Sequence, residues 1–430
     1  MKAKKLLSIS FLGLTLSASA QAGELADIYN LALANDPQLK AAQASYKAGA
    51  EVEVQSRSAL LPNLSLSANT TAIDAETTSY NNHGYTLSLS QPVFNASAWF
   101  SFKQGQVLSD QAALQFELEQ QNLILRTVEA YLGVLRANSA LATSEAQERA
   151  IKRRLDQVNA QFEVGLIANT DVQEAQASFD NARVARISAE GDLDNSYEAL
   201  ERLTGKSYTS ISQLSNGYPI DAPVPSDPQQ WLDKAWANNL GLKISDLNSE
   251  AARRAAKAAH AGHYPTLSLT ASHDYDEGTA VSDNSNETNA IGLTLSLPIY
   301  SGGATSSKSR ELEQRLIEAQ QNRENSLRGV TQSTRSLLRN LRTGSLSVQA
   351  LKQSIKSSQT ALEATEEGYK VGTRNVVDVL QAEQQLYASQ LEYANARFNF
   401  VQDLITFKQQ LGTLSPKDIN ELDGWLETAK

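Results

Sequence analysis

The chain has 430 residues, no cysteine and a formal net charge of −10. That acidity argues against a nucleic-acid partner, whose phosphates call for a surplus of Lys and Arg, and the missing cysteines exclude disulfides, thiolate metal ligands and a lipidated N-terminal cysteine. The length ordinarily means about two or three domains, and an exported chain of this size without disulfides needs a large core or an oligomer.

Met1, Lys2, Ala3, Lys4 and Lys5 form a basic stub before the apolar run 6–16 and the small-residue site Ala20-Gln21-Ala22. This pattern predicts a signal peptide over residues 1–22, so the mature chain leaves the cytoplasm. No later stretch offers the roughly 20 apolar residues of a membrane helix, and entry into a bilayer would have to be as strands. Residues 25–57 read as short helices of a girdle. Residues 64–70 and 85–93 then alternate apolar positions with Ser, Thr or Gly, the period of strands with one wet face. Between them, the polar stretch 69–84 reads as a long exposed hairpin loop.

Ile151, Leu155, Val158 and Phe162 follow at coiled-coil spacing, and no proline interrupts 98–164. One helix over that span is about 100 Å long at 1.5 Å per residue. It should end at Val164-Gly165 and reverse into a second helix. After a proline-rich connection (Pro219, Pro223, Pro225, Pro228) and short helices at 231–238 and 242–260, the same order returns. Strands are expected at 267–272 and 291–299 around a polar loop 274–289. A rod over 303–371 carries Leu351, Ile355, Ser358, Leu362, Thr365 and Tyr369, turns at Gly372, and returns with Tyr387, Leu391, Ala394, Phe398, Val401 and Ile405.

The halves also match residue by residue. Leu61-Pro62-Asn63-Leu64-Ser65-Leu66 reappears as Tyr264-Pro265-Thr266-Leu267-Ser268-Leu269, an offset of 203, and Val164-Gly165 as Val371-Gly372, an offset of 207. This predicts a tandem repeat: a leader 1–22, a first repeat 23–217, a linker 218–230, a second repeat 231–415 and a closing girdle segment 416–430. Four strands cannot close a membrane barrel, and an open edge in lipid leaves backbone groups unsatisfied. Two protomers would pool eight strands around a lumen filled by side chains, whereas three would pool twelve around an open pore. The sparse charge on the helices suits a rod with one wet, lumen-lining face. The expected fold class is therefore mixed α and β, a trimeric barrel continuous with a helical tunnel. A surface stalk of coiled coils without a conduit is the alternative, and it gives no reason for strand pairs in both halves.

The strand openings at Leu61-Pro62 and Tyr264-Pro265, the tip Phe162-Glu163-Val164-Gly165-Leu166 and the run Gly368-Tyr369-Lys370-Val371-Gly372-Thr373-Arg374-Asn375 to Asp378 resemble the TolC outer-membrane efflux family over essentially all of the mature chain. The resemblance implies a homotrimer in the outer membrane with a periplasmic tunnel tapered shut at the hairpin tips. It also implies docking to an inner-membrane pump through a periplasmic adaptor, for export of drugs, detergents or proteins, with no cofactor and no enzymatic role.

At the tips the two halves diverge. Phe162 becomes Tyr369 and Ile167 becomes Arg374, while Asp171 corresponds to Asp378. By resemblance, links from Tyr369 and Arg374 to Thr170 and Asp171 hold the entrance closed; alternatively Thr170 or Asp171 simply caps the returning helix. Asp378 is expected to form an acidic ring with its symmetry mates, and Gln381 stands where some relatives carry a second such ring. Gly165, Leu166, Ile167 and Ala168, with Gly372, Thr373 and Asn375, resemble adaptor-docking elements, although both glycines also serve as turn residues. His260 and His263 lack the further ligands of a metal site. Gly302-Gly303-Ala304-Thr305-Ser306-Ser307-Lys308 lacks the ending of a phosphate loop and reads as a joint.

Overall fold

The computed structural model describes residues 24–76, 78–278 and 285–427. The leader expected over 1–22 lies outside them. Two rods dominate the molecule, α3 (Ala96–Glu163) and α7 (Ala304–Lys370), of 68 and 67 residues. Asn95 starts the first by accepting a hydrogen bond from Ala98 N, so one orphan amide of the opening turn is satisfied. Each rod reverses into a shorter helix, α4 (Asn169–Thr204) or α8 (Val376–Gln410).

Each rod packs against two sets of partners in succession. In the lower part Ile151, Leu155 and Val158 are buried against Ala175 and Ala182 of α4 and Val376 and Leu380 of α8. In the upper part α3 lies between α2 (Pro37–Ser58) and α6 (Leu240–His260). Gln106 Nε2 donates to Glu53 Oε1 of α2 at 3.1 Å and Gln111 Nε2 to Asn248 Oδ1 of α6 at 2.9 Å. Helix α6 in turn meets α7 through Asp246 with Arg323 and Ser245 with Ser326. Residues 25–57 and 242–260 are thus not all girdle: α2 and α6 lie along the rods themselves. Small buried residues on α6, Ser249, Ala251, Ala256 and Ala258, let its axis approach its neighbours closely.

A girdle does surround the middle of the rods. It comprises α1 (Glu24–Asn35), α5 (Pro228–Asn238), α9 (Pro416–Asp423) and a small sheet of β3 (Gln213–Leu214) with β6 (Leu426–Glu427). Leu25, Ile28, Leu200, Ile419 and Leu422 bury Tyr131, Leu132 and Leu135 of α3 together with Phe398, Val401 and Ile405 of α8. On the other side, Trp231 and Ala235 of α5 pack with Leu338, Leu341, Phe400 and Phe407. At roughly 1.5–3 kcal/mol per fully buried large apolar side chain, these clusters hold the mid-section together.

Four long strands form one antiparallel sheet in the order β1 (Asn63–Ala75), β2 (Thr78–Phe94), β4 (Thr266–Glu277) and β5 (Asn286–Ser296). The described residues of the stretches 69–84 and 274–289, read as loops, are mostly strand, while 77 and 279–284 lie outside the described residues. The β1–β2 ladder continues to Ala75 opposite Thr78, and β4–β5 pairs as far as Asp276 opposite Asn286. Polar side chains there mislead because the ladder satisfies the backbone whatever the side chains are, and Thr and Tyr favour extended chain. At its other end β5 stops at Ser296, short of the 299 expected.

The register sorts the two faces. Leu64 and Leu66 stand opposite Leu89 and Leu87, and Leu267, Leu269 and Ala271 stand opposite Leu295, Leu293 and Ile291, all on one face. Ser65, Ser88, Ser272, Thr270 and Thr294 occupy the other, where the Ser65 and Ser88 hydroxyls lie 2.8 Å apart. Leu64, Leu66, Ile291, Leu293 and Leu295 are exposed. Among the described residues β1 and β5 each pair on one side only, so the sheet of one chain is open at both edges. No described helix is long and apolar enough to cross a membrane.

Candidate functional site

The two hairpin tips have the same backbone. Gly165 and Gly372 adopt φ of +76° and +77°, the left-handed region that a side chain would strain. Leu166 N donates to Gln161 O and Thr373 N to Gly368 O, both at 2.9 Å, closing the ends of α3 and α7. Val164, Leu166 and Val371 are exposed at the extreme ends.

The returning helices begin differently. Asn375 and Asp378 form a capping box at α8: Asp378 N donates to Asn375 Oδ1 at 2.8 Å and Asn375 N to Asp378 Oδ2 at 3.2 Å. Helix α4 has no side-chain cap, since its N-cap residue is Ala168. Thr170 and Asp171 therefore do not cap the returning helix.

The phenol of Tyr369 donates to Gln161 Oε1 at 2.5 Å, and its ring faces the Arg154 guanidinium at 6.0 Å. Burial raises its pKa and the Asp171 carboxylate adds to that shift. Arg374 is exposed and its nearest acid is Asp378 of its own hairpin, 3.9 Å away. Within one chain the expected links to Thr170 and Asp171 are therefore absent, and Tyr369 reaches across to α3 instead. The Tyr369 hydroxyl is taken up by Gln161 in the last turn of α3, while Asp171, in the first turn of α4, acts on it only through its charge. Among the expected docking residues, Gly165, Leu166, Ala168, Gly372, Thr373 and Asn375 are exposed. Ile167 is not: it turns inward onto the cluster of Ile151, Leu155 and Val158, as an isoleucine beside an apolar seam should. Gln381 is exposed one turn beyond Asp378.

Sequence reading missed the charged group above the tips. Arg154 pairs with Glu366 of α7 and, at 3.2 Å, with Glu383 of α8, and Glu383 is 5% exposed. The signal was available, because Glu383 interrupts the apolar seam Val379 to Leu386 and so had to be paired or protonated.

Elsewhere, the rings of His260 and His263 stand edge to face with centroids 6.1 Å apart, and no group of three metal-type side chains occurs among the described residues. Gly302 and Gly303 both have positive φ where the sheet passes into α7, and Lys308 pairs with Glu311, so this stretch is a joint.

The outer membrane efflux protein family model matches residues 28–206 and again 231–413. The chain is 36% identical over 425 residues to the outer membrane protein TolC of Vibrio cholerae serotype O1, covering 97% of each chain. It is 30% identical over 429 residues to the alkaline protease secretion protein AprF of Pseudomonas aeruginosa, covering 94% of this chain and 88% of that one. The solved CmeC outer membrane channel of Campylobacter jejuni has the same fold, with a TM-score of 0.80 at 19% identity over 94% of this chain and 90% of that one. On a match that spans most of both halves, the chain belongs to the outer membrane efflux protein family.

Proposed function

We infer that this protein is an outer-membrane exit duct that reaches into the periplasm and serves efflux and type I secretion. The carrying observation is the open four-stranded sheet with one apolar and one polar face. Such a sheet is stable in lipid only if its edges are paired. Three copies pool twelve strands, enough to enclose an aqueous pore, and the same rotation wraps the hairpins into a periplasmic tunnel. The tandem halves then supply six near-equivalent hairpins around the axis. The relatives named TolC and the alkaline protease secretion protein support the two kinds of cargo route.

In this reading the tips close the tunnel. Tyr369 holds Gln161 within a protomer, and Arg374, exposed and only loosely engaged by Asp378, is free to reach Thr170 and Asp171 of the neighbouring hairpin. The exposed Gly165, Leu166, Ala168, Gly372, Thr373 and Asn375 would receive a periplasmic adaptor that carries an inner-membrane pump. The role is transport rather than catalysis. Planar-bilayer recording on purified trimers is the direct test. Defined single-channel steps are expected, whereas a stalk would insert without conducting.

Asp378 would line the narrowest point with its two symmetry mates. Three like charges at a neck focus potential more than scattered ones do. Asp378→Asn is expected to reduce cation preference, read as a shift of the reversal potential toward zero under a salt gradient. Because Asn375 N still finds an acceptor on the amide, α8 keeps its cap and assembly is retained. An unmoved reversal potential would locate the selectivity elsewhere.

A further inference from the structure

Arg154 of α3 directs Nη2 to Glu366 Oε1 on α7 and to Glu383 Oε1 on α8. This cluster lies about three helical turns above Gly165 and spans from the first hairpin to both helices of the second. It is also incompletely satisfied: Glu383 Oε2 and Arg154 Nε are buried and without a hydrogen-bond partner among the described residues. One guanidinium shared by two carboxylates leaves a net negative charge in a site where an uncompensated charge is expensive.

We propose that Arg154, Glu366 and Glu383 form a proton-responsive latch that joins the two hairpins of each protomer, reinforces the closed entrance and tightens in acid. The latch rests on the exit-duct reading and adds residues remote from the tips. Its proton site is Glu383 Oε2, the oxygen without a partner. Burial is the largest influence on that carboxyl and holds it above the usual range; Arg154 and Arg153 from α3 oppose this, and Glu366 from α7 adds to it. On α8 itself Tyr387 lies within the field of Glu383. On α7 Lys370 is paired with Glu367 and lies within the field of Glu366 and Arg154, and the Tyr369 ring stands beside Arg154.

The direction follows from linkage. Parting the hairpins would return Glu383 to water and its pKa to the ordinary value of 4.5. The closed form therefore binds the proton more tightly than the open one. Closure gains stability that is fully present below the ordinary value and is lost as pH rises through the higher, closed-state value. A naive expectation that acid breaks an ion pair has the opposite sign, because here desolvation outweighs the attraction of Arg154.

The test uses full-length trimers in planar bilayers, with the periplasmic side taken from about pH 7.5 to about pH 4.5, a range that brackets the carboxylate titration. All proteins carry Asp378→Asn so that the tip carboxylate does not titrate. With Glu383 intact, conductance should fall several-fold on acidification. Glu383→Gln, which mimics the protonated side chain, should be low at both ends and flat. Arg154→Gln, which leaves two carboxylates facing each other, should widen the pH swing. Parallel pH profiles for Glu383 and Gln overturn the latch, and so does an unchanged swing in Arg154→Gln. If those profiles are parallel while the tip variant Tyr369→Phe/Arg374→Ser still opens, the latch fails and the gate stands. If no variant conducts, the duct reading falls with it.

Discussion

The double change Tyr369→Phe with Arg374→Ser should convert a mostly closed channel into a mostly open one, read as a several-fold rise in single-channel conductance from trimers that still assemble. The hydroxyl removed from Tyr369 is the donor to Gln161 Oε1 at 2.5 Å, and this bond ties the end of α7 to the end of α3. A bond of this kind contributes about 1 kcal/mol. Repeated by three-fold symmetry, the loss approaches 3 kcal/mol, about a hundredfold in the closed-to-open ratio. Arg374 contributes little to its own chain, since it is exposed and 3.9 Å from Asp378, so its removal should spare folding and, on the proposed gate, act at the neighbouring protomer. The backbone tolerates both changes: at the other tip Phe162 and Ile167 occupy the equivalent places on the same turn. Assembled trimers with unaltered conductance would return Tyr369 and Arg374 to the status of ordinary turn residues. Opening by Arg374→Ser alone would shift the weight from the contact within a protomer to the contact between protomers.

The rods were legible because their pattern is local and long. Leu351, Ile355, Ser358, Leu362, Thr365 and Tyr369 repeat at one spacing, and every one of them is at least partly buried. What could not be read was the choice of partner. Helix α2 buries only Leu39 among its residues, so its sequence resembles that of a solvated helix although α3 lies alongside it. Helix α6 is recognised by Ala and Ser, residues whose value lies in letting two backbones approach, and no hydrophobic periodicity reports that. Strand length was lost for a related reason. Alternation marks the parts with one apolar face, but beyond Thr70 and Asp274 apolar residues such as Ile73, Tyr80 and Tyr275 are scattered among polar ones, and the ladder keeps the chain extended without a regular period.

At the tips, the turns were legible and the partners were not. A glycine after a valine at the end of a long heptad run reads directly as a left-handed reversal, and both glycines have it. Gln161 carried no signal, because a glutamine near a helix end is unremarkable until a phenol from another helix meets it. Arg154 and Glu383 differ: each interrupts an apolar seam, between Ile151 and Val158 and between Val379 and Leu386, and a charge in such a place demands an opposite charge nearby. The pairing of seams across hairpins, which decides who answers that demand, is set by tertiary packing.

Tyr131→Ala should cause the largest loss of stability of any single side chain considered. The residue is 0% exposed and sits where α1, the end of α4, α8 and α9 converge on the middle of α3. Its hydroxyl donates to Ser212 O at 2.7 Å, which fixes the chain just before β3, and burial keeps that hydroxyl protonated well above its ordinary range. Removing the ring leaves a cavity costing about 3–5 kcal/mol, and the partly buried Ser212 carbonyl loses its donor for a further loss of about 1 kcal/mol. Tyr131→Phe isolates the second contribution, since it keeps the ring and deletes only the bond. Guanidinium denaturation of detergent-solubilised trimers should therefore rank wild type above Phe and Phe well above Ala, with the Ala protein also cleaved faster by trypsin in the girdle. The lower rod should be spared, because Ile151, Leu155 and Val158 form a separate cluster with α4 and α8 that shares no residue with the girdle core. An Ala protein as resistant as the Phe protein would mean that the girdle is held by its outer contacts, such as Leu25 N donating to Asp423 Oδ1, and not by the core around Tyr131.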